Sequence, residues 1–346
     1  MKFSNFLFPE SQSPDGDYDV IEESLREAEL SEELGYDVVW LAEHHFDGGC
    51  AYVDPTTFAA AIAARTKKIK IGFAVAQMAL HHPIRFAEQI ALVDNISKGR
   101  MIVGVGRGTA YNFYEFRGFG IDPDDSHEML LEVEDILLRA WTTKDYKHNG
   151  KYWQLELPVL RPQVYQKPHP PMIRACSGLE STLEMAREGR PFMMNVQSDE
   201  VTVERMDQYR ATMSDAGHND ETVARNVADS WVWRNIFVAE TDAEAEKVGI
   251  PYFQNMRSYL QTNRDRMNTA EELEAQASRI VGSARNSLEH GIIVGSPETV
   301  TERLQKVHGT GVGGVIIHFR LGAMPYDIAA NSLKLFAQKV VPNFQD

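Results

Sequence analysis

Three polar side chains in a row, Glu43-His44-His45, follow directly on the apolar run Val38-Val39-Trp40-Leu41. A free imidazole titrates at about pH 6.5, so either histidine can act as acid or base at neutral pH. The apolar run reads as a short strand covered on both faces. In parallel α/β folds the catalytic groups stand at the carboxyl ends of such strands, where the strand fixes the backbone and the loop is free to vary. On spacing alone two readings stay open: a catalytic imidazole at 44 or 45, or polar side chains satisfied within the structure.

Metal chemistry needs convergent ligands. Neighbours in an extended strand point to opposite faces, so neither His44-His45 nor His81-His82 can chelate as an adjacent pair. Glu43, one of the two histidines and His318 make a conceivable hydrolase set, but H-x-H, H-E-x-x-H and G-x-S-x-G are all absent, and no metal ligand is assigned. The run Gly104-Val105-Gly106-Arg107-Gly108 fails as a dinucleotide fingerprint: Thr109 stands where the third glycine belongs, and the acids Asp124 and Asp125 lie in a polar loop. It leaves a backbone able to approach an anion, with Arg107 as either a phosphate contact or half of a structural salt bridge. A second anion candidate, Ala175 to Thr182, leaves a strand and enters a helix. Ser177 and Gly178 there suit a phosphate at the helix N-terminus, and the alternative is ordinary capping by Ser181 or Thr182.

The elements that must position these groups alternate. Strands are expected at Phe3–Phe8, Asp37–Leu41, Ile69–Ala76, Met101–Val105, Met172–Ala175, Phe192–Met194, Ser230–Val238 and Gly314–His318. Helices fall between them, among them Asp19–Leu34, Asp54–Ala64 and Pro83–Ile96. A strand followed by a helix at intervals of roughly thirty residues is the rhythm of a parallel sheet, and eight such strands point to a closed barrel. Residues 109–170 interrupt it with a helix from Asp125 to Arg139 and a hairpin at Asn149-Gly150. The segment 255–290, polar and charged, reads as a helix or a mobile flap with little apolar surface to bury. No linker or repeat divides the chain, so 1–346 is expected to be one domain.

Composition narrows the partners. A net charge of −15 argues against nonspecific binding to nucleic acid or an anionic membrane. Cys50 and Cys176 show no ligand-like spacing and fit reduced thiols in a cytoplasmic protein. The first ten residues hold too short an apolar run for a signal segment, and nowhere do about eighteen apolar residues run together.

Read together, these motifs resemble the luciferase-like flavin monooxygenases, in particular the alkanal-monooxygenase branch. The likeness runs over nearly the whole chain. It is densest at Met1-Lys2-Phe3, Val39-Trp40-Leu41 with Glu43-His44-His45-Phe46, His82-Pro83, Ser97-Lys98-Gly99-Arg100, Gly104 with Arg107-Gly108, and Gly295-x-Pro297-Glu298. The resemblance implies a single (β/α)8 TIM barrel with an insertion after the fourth strand and a mobile segment after the seventh. It implies reduced FMN at the carboxyl ends of the strands, His44 as the catalytic imidazole, Arg107 as a phosphate ligand, and a non-proline cis peptide at Ala74-Val75 under the flavin ring. It further implies O2 and a small organic substrate, a separate NAD(P)H:flavin reductase, and a homodimer through the early helices. The absence of a nicotinamide fingerprint fits that division of labour. Three departures stand out: Gly106 replaces luciferase's reactive cysteine, His127 a second phosphate-binding arginine, and Ser177-Gly178 an acid and a serine. They leave room for the deazaflavin F420 used by a sister branch, or for a flavin-binding protein without catalysis.

Overall fold

The apolar run becomes strand β2 (Val38–Leu41), all four residues of which are buried. The computed structural model describes residues 1–109, 111–280 and 284–344, giving the backbone alone for 276–280. Strand β1 (Lys2–Leu7) pairs in parallel with β2, with Phe6 opposite Trp40, and on its other side with β12 (Gly314–His318), with Asn5 opposite Ile317. From β2 the ring continues through β3 (Lys70–Phe73), β5 (Met101–Gly106), β8 (Met172–Cys176) and β9 (Phe192–Met194) to β10 (Trp231–Val238), which pairs with both β9 and β12 and closes it. These eight parallel strands and the helices between them form the expected barrel.

The two-residue period of a strand decides what fills the interior. Trp40 and Trp231 meet edge to face, with ring centroids 5.3 Å apart. Trp40 donates to Ser4 Oγ at 2.9 Å, and Ser4 Oγ donates to the carbonyl of Val315 at 2.8 Å. The two indoles fit because Gly72 and Gly314 have no side chain: a Cβ at either would stand 2.4 Å from an indole ring. Two residues further along each strand the inward positions are Phe6, Ala42, Ala74, Trp233 and Ile316, all of which line an open cavity. The barrel is therefore solid below and hollow above.

Around it, the helix Pro55–Arg65 starts on Asp54, whose carboxylate accepts from the amides of Thr56 and Thr57 at 2.8 and 3.2 Å. The Ser97-Lys98-Gly99-Arg100 motif ends the helix Pro83–Ser97, with Lys98 in the left-handed conformation. Arg100 then donates to the carbonyls of Ala63 and Ile69, both at 2.9 Å, and to Thr66 Oγ1 at 2.8 Å. The motif holds two helix ends and the entry to β3 together, away from the polar cluster.

Three expectations need correction. The third strand does not run unbroken to Ala76: it stops at Phe73, a cis peptide joins Ala74 to Val75, and a two-residue strand β4 (Ala76–Gln77) pairs with β5. After the insertion's antiparallel hairpin β6 (Tyr146–Asn149) and β7 (Gln154–Leu157), one strand was not foreseen. This is β11 (Ile292–Gly295), which pairs with Asn235–Val238 of β10. Segment 255–290 does bury a face: in the helix Asp242–Met267, Phe253, Met256, Leu260, Asn263 and Arg264 are buried at helical spacing. A second helix covers Ala270–Ile280, and positions 281–283 lie outside the described residues. Among the described residues no helix is long and apolar enough to cross a membrane.

The barrel wall is tight enough to test. A Cβ at Gly104 would stand 1.6 Å from the backbone oxygen of Phe73, which cannot rotate away. Gly104→Ala should therefore lower unfolding stability by about 3 kcal/mol or more, at the top of the usual range for overpacking, as read from urea denaturation. A loss below about 1 kcal/mol would show that β3 and β5 do not meet this closely.

Candidate active site

The cavity at the carboxyl mouth has a volume of about 770 Å3. His44 is the next inward position after Trp40 and Ala42, and its side chain lines the cavity. Its Nδ1 lies 2.9 Å from Glu115 Oε1. Glu115 belongs to the helix Phe113–Phe119 of the insertion and is fully buried. The same carboxylate accepts from the amide of His45 at 3.0 Å and from Gln77 Nε2 at 3.1 Å. Burial by itself pulls the His44 pKa down, but the charge and hydrogen bond of Glu115 outweigh it and the imidazole is held above its ordinary value. Burial likewise works to raise Glu115, and the charge of His44 reverses it, so the acid stays below the usual carboxylate range.

The neighbouring residues make a second cluster around Glu43, which also lines the cavity. Glu43 receives His45 Nε2 at 3.2 Å, His81 Nε2 at 2.9 and 3.0 Å from its two oxygens, and the amide of Gln77 at 2.5 Å. Burial works to raise this carboxylate, yet His81 and these donors bring it down to about 2. His81 itself is raised: burial lowers it, and Glu43 more than compensates. Gln77 Nε2 also donates to the backbone carbonyl of Glu43 at 2.7 Å, so Gln77 bonds the Glu43 carboxylate through its backbone amide and the Glu115 carboxylate through its side chain. Of the open readings at the start of this stretch, His44 faces the cavity, and His45 is satisfied within the structure.

The other sequence candidates fall as follows. Ala74, Val75, Arg107 and Ser177 line the cavity with His44, and so does His127. Gly178 stands just behind, as N-cap of the helix Leu179–Glu188, and no side chain caps that helix. Capping by Ser181 or Thr182 is corrected: both hydroxyls donate at 3.0 Å to the carbonyl of Gly178, because the helix begins before them. The first-turn amides are thus left without a side-chain acceptor beside Ser177, the arrangement that suits an anion. His318 lines the cavity on another arc, where burial pushes it down to about 4. Among the described residues no group of three His, Cys, Asp or Glu side chains is placed to hold a metal ion.

Sequence reading missed Glu115, Gln77 and Asn112. Asn112 Nδ2 lies 3.4 Å from His44 Nδ1, and its Oδ1 accepts from Arg264 Nε at 2.8 Å. The one signal available for Glu115 was its isolation, a single acid among Phe113, Tyr114 and Phe116.

A parallel barrel with a ligand-sized cavity at its carboxyl mouth, walled by a carboxylate-held imidazole, defines a class of α/β-barrel enzyme. Within that class the chain belongs to the luciferase-like monooxygenase family, whose profile matches residues 1–314, and it is an oxidoreductase of that kind. It is 27% identical to a limonene 1,2-monooxygenase of Rhodococcus erythropolis over 99% of this chain and 86% of that one. It is 24% identical to an alkanal monooxygenase alpha chain of Photobacterium leiognathi over 100% and 99%. Among solved structures, the monooxygenase RslO1 from Streptomyces bottropensis matches with a TM-score of 0.82 at 29% identity, covering 100% of both chains. Two more share the fold. The oxygenating constituent of 3,6-diketocamphane monooxygenase from Pseudomonas putida, in complex with FMN, gives a TM-score of 0.79 at 20% identity over 99% and 98%. An F420-dependent secondary alcohol dehydrogenase gives 0.74 at 16% over 100% and 99%.

Two substitutions test the electrostatics. Glu115→Gln removes the charge that holds His44 up, so the His44 ionisation followed by NMR should fall below its wild-type value; an unmoved titration would show that burial alone sets it. Glu43→Gln leaves buried imidazoles without their counter-charge and should cost about 3–5 kcal/mol at neutral pH. Because the folded pKa of Glu43 is depressed to about 2, its stabilisation is complete above the unfolded value near 4.5 and is lost as pH falls between the two. The wild-type stability curve should drop across that window, and the Glu43→Gln curve should be flatter there.

Proposed function

We propose that the cavity binds reduced FMN and that the protein is the oxygenase component of a two-component monooxygenase, supplied with FMNH2 by a separate NAD(P)H:flavin reductase and using O2 to oxidise a small organic substrate. The observation that carries this reading is the convergence of His44, Ala74, Val75, Arg107 and Ser177 on one cavity of about 770 Å3. That volume lies within the range of about 300–1,000 Å3 typical of cofactor and ligand sites. The residues present fit the group. The uncapped helix start at Gly178 offers amides for a phosphate beside Ser177 and Arg107. The Ala74–Val75 peptide presents backbone and small side chains as one face for a flat ring system.

Bound there, reduced flavin supplies the electrons that activate O2. The chain's own contribution is positional and protonic. Glu115 holds Nδ1 of His44, which leaves Nε2 to exchange a proton with a bound molecule, and the raised pKa keeps that ring protonated to higher pH than a free imidazole. The helix Asp242–Met267, in the place expected for a flap, walls the cavity on one side with Met256, Arg257, Leu260 and Arg264. A homodimer through the helices Pro55–Arg65 and Pro83–Ser97 is part of the proposal; Leu92 and Ile96 expose apolar side chains on the second of them. So is a cytoplasmic location, which suits the two buried free thiols.

Anaerobic titration of the purified protein with FMNH2 and with reduced F420, followed by addition of O2, tests this. FMNH2 should bind at least ten-fold tighter than reduced F420, and the bound flavin should consume O2. The reverse preference would point to a deazaflavin-dependent oxidoreductase, and binding without oxidation of any substrate to a flavin-binding protein. His44→Ala should lower turnover by about 100-fold or more, the usual share of a general acid or base, with FMNH2 affinity within about three-fold; unchanged turnover would refute the role.

A further inference from the structure

One wall of the cavity has a chemistry that the flavin reading does not use. Arg257 and Arg264, on the helix Asp242–Met267, and Arg285, just beyond the described gap, all line it. In a chain of net charge −15, three guanidiniums gathered on one interior wall call for an explanation. None of the three forms an ion pair among the described residues. Their partners are neutral: Arg264 donates to Asn112 and lies 4.6 Å from the centroid of Tyr111, while Arg285 donates to the Tyr111 hydroxyl at 2.9 Å and lies 5.2 Å from the centroid of Trp233. Arg257 donates to the side-chain oxygen of Asn286.

The electrostatics agree with the geometry. Burial and the charges of Arg285 and Arg264 pull Arg257 down to about 9. Tyr111 is lowered although burial opposes it, because the three arginines favour its anion. Asp47, the nearby acid on this side, is engaged by the Tyr114 hydroxyl at 2.8 Å and the amide of Gly49 at 2.7 Å. Three buried N–H donors here, Arg257 Nε, Arg285 Nε and Trp233 Nε1, have no hydrogen-bond partner among the described residues. Buried donors are ordinarily paired, so such a group marks a place where a ligand completes the network. Phe6, Phe8, Met256, Leu260 and Ile316 lie beside them, so the charged patch has an apolar neighbour.

We propose that this wall binds the carboxylate of an organic acid whose apolar body lies against Leu260 and Trp233, so that the substrate of the oxygenation proposed above is an anion; the assignment of the ligand as substrate rests on that flavin reading. Guanidinium groups match a carboxylate with paired hydrogen bonds. The wall reaches the site of proton transfer through Arg264, Asn112 and His44, whereas Arg107, Ser177 and the uncapped helix start belong to β5, β8 and the loops that follow them. An anionic substrate and an anionic cofactor would therefore occupy different arcs of the mouth.

Calorimetric titration of the whole protein tests the assignment, with octanoate and benzoate compared against their neutral matches octanamide and benzamide. At least one acid should bind ten-fold or more tightly than its amide. Arg257→Gln and Arg285→Gln should each weaken that binding ten-fold or more while shifting FMN affinity less than three-fold. Equal binding of acid and amide in both pairs overturns the proposal without any variant having to fold. A ten-fold loss of FMN affinity in Arg257→Gln also overturns it, by assigning the cluster to the cofactor's phosphate. Acid selectivity in a protein that binds no FMN supports the anion site while removing the flavin reading.

Discussion

A carboxylate buried in a barrel wall stays charged only if enough donors surround it, and Glu115 meets that condition with His44, the amide of His45 and Gln77. The rest of the site follows from this one demand. It draws the insertion helix Phe113–Phe119 down onto the mouth and fixes which ring nitrogen of His44 is engaged. Through Gln77 it also couples His44 to the second buried acid, Glu43, and hence to His45 and His81. Two carboxylates and three imidazoles form one connected set, in which Glu115 and His44, and Glu43 and His81, each favour the charge of the other.

The barrel supplies the precision. Inward and outward positions alternate along each strand, so the tryptophan at 40 faces the interior, and past the strand's end Ala42, Glu43 and His44 all line the cavity. The same alternation places Trp231 and Trp233 at successive levels of the interior. Glycines at 72 and 314 are the complement of the lower indoles, which makes the floor of the cavity a matter of packing rather than of loop conformation.

Much of this was legible in the chain. Strand-helix alternation is a local property, set by apolar periodicity and by caps such as Asp54-Pro55, and that periodicity located all eight barrel strands, with the break in the third at Phe73 the exception. The cis bond at Ala74–Val75 was reached through family likeness and lies where that likeness placed it. What escaped was non-local. Glu115 is 71 positions from His44, and no spacing rule joins them. Strand β11 is four residues long and reads equally well as a loop end, because its partner β10 lies across a long helical excursion. Segment 255–290 looked too polar to bury a face because two of its buried residues are themselves polar, Asn263 and Arg264, and their purpose appears only once Asp47 and Asn112 are seen opposite them.

The indole stopper beneath the cavity has a further consequence for inheritance. Because the base against which a guest rests is set by strand residues, the segments of the rim are free to vary without shifting it, and a new guest calls for a new rim on an old foundation.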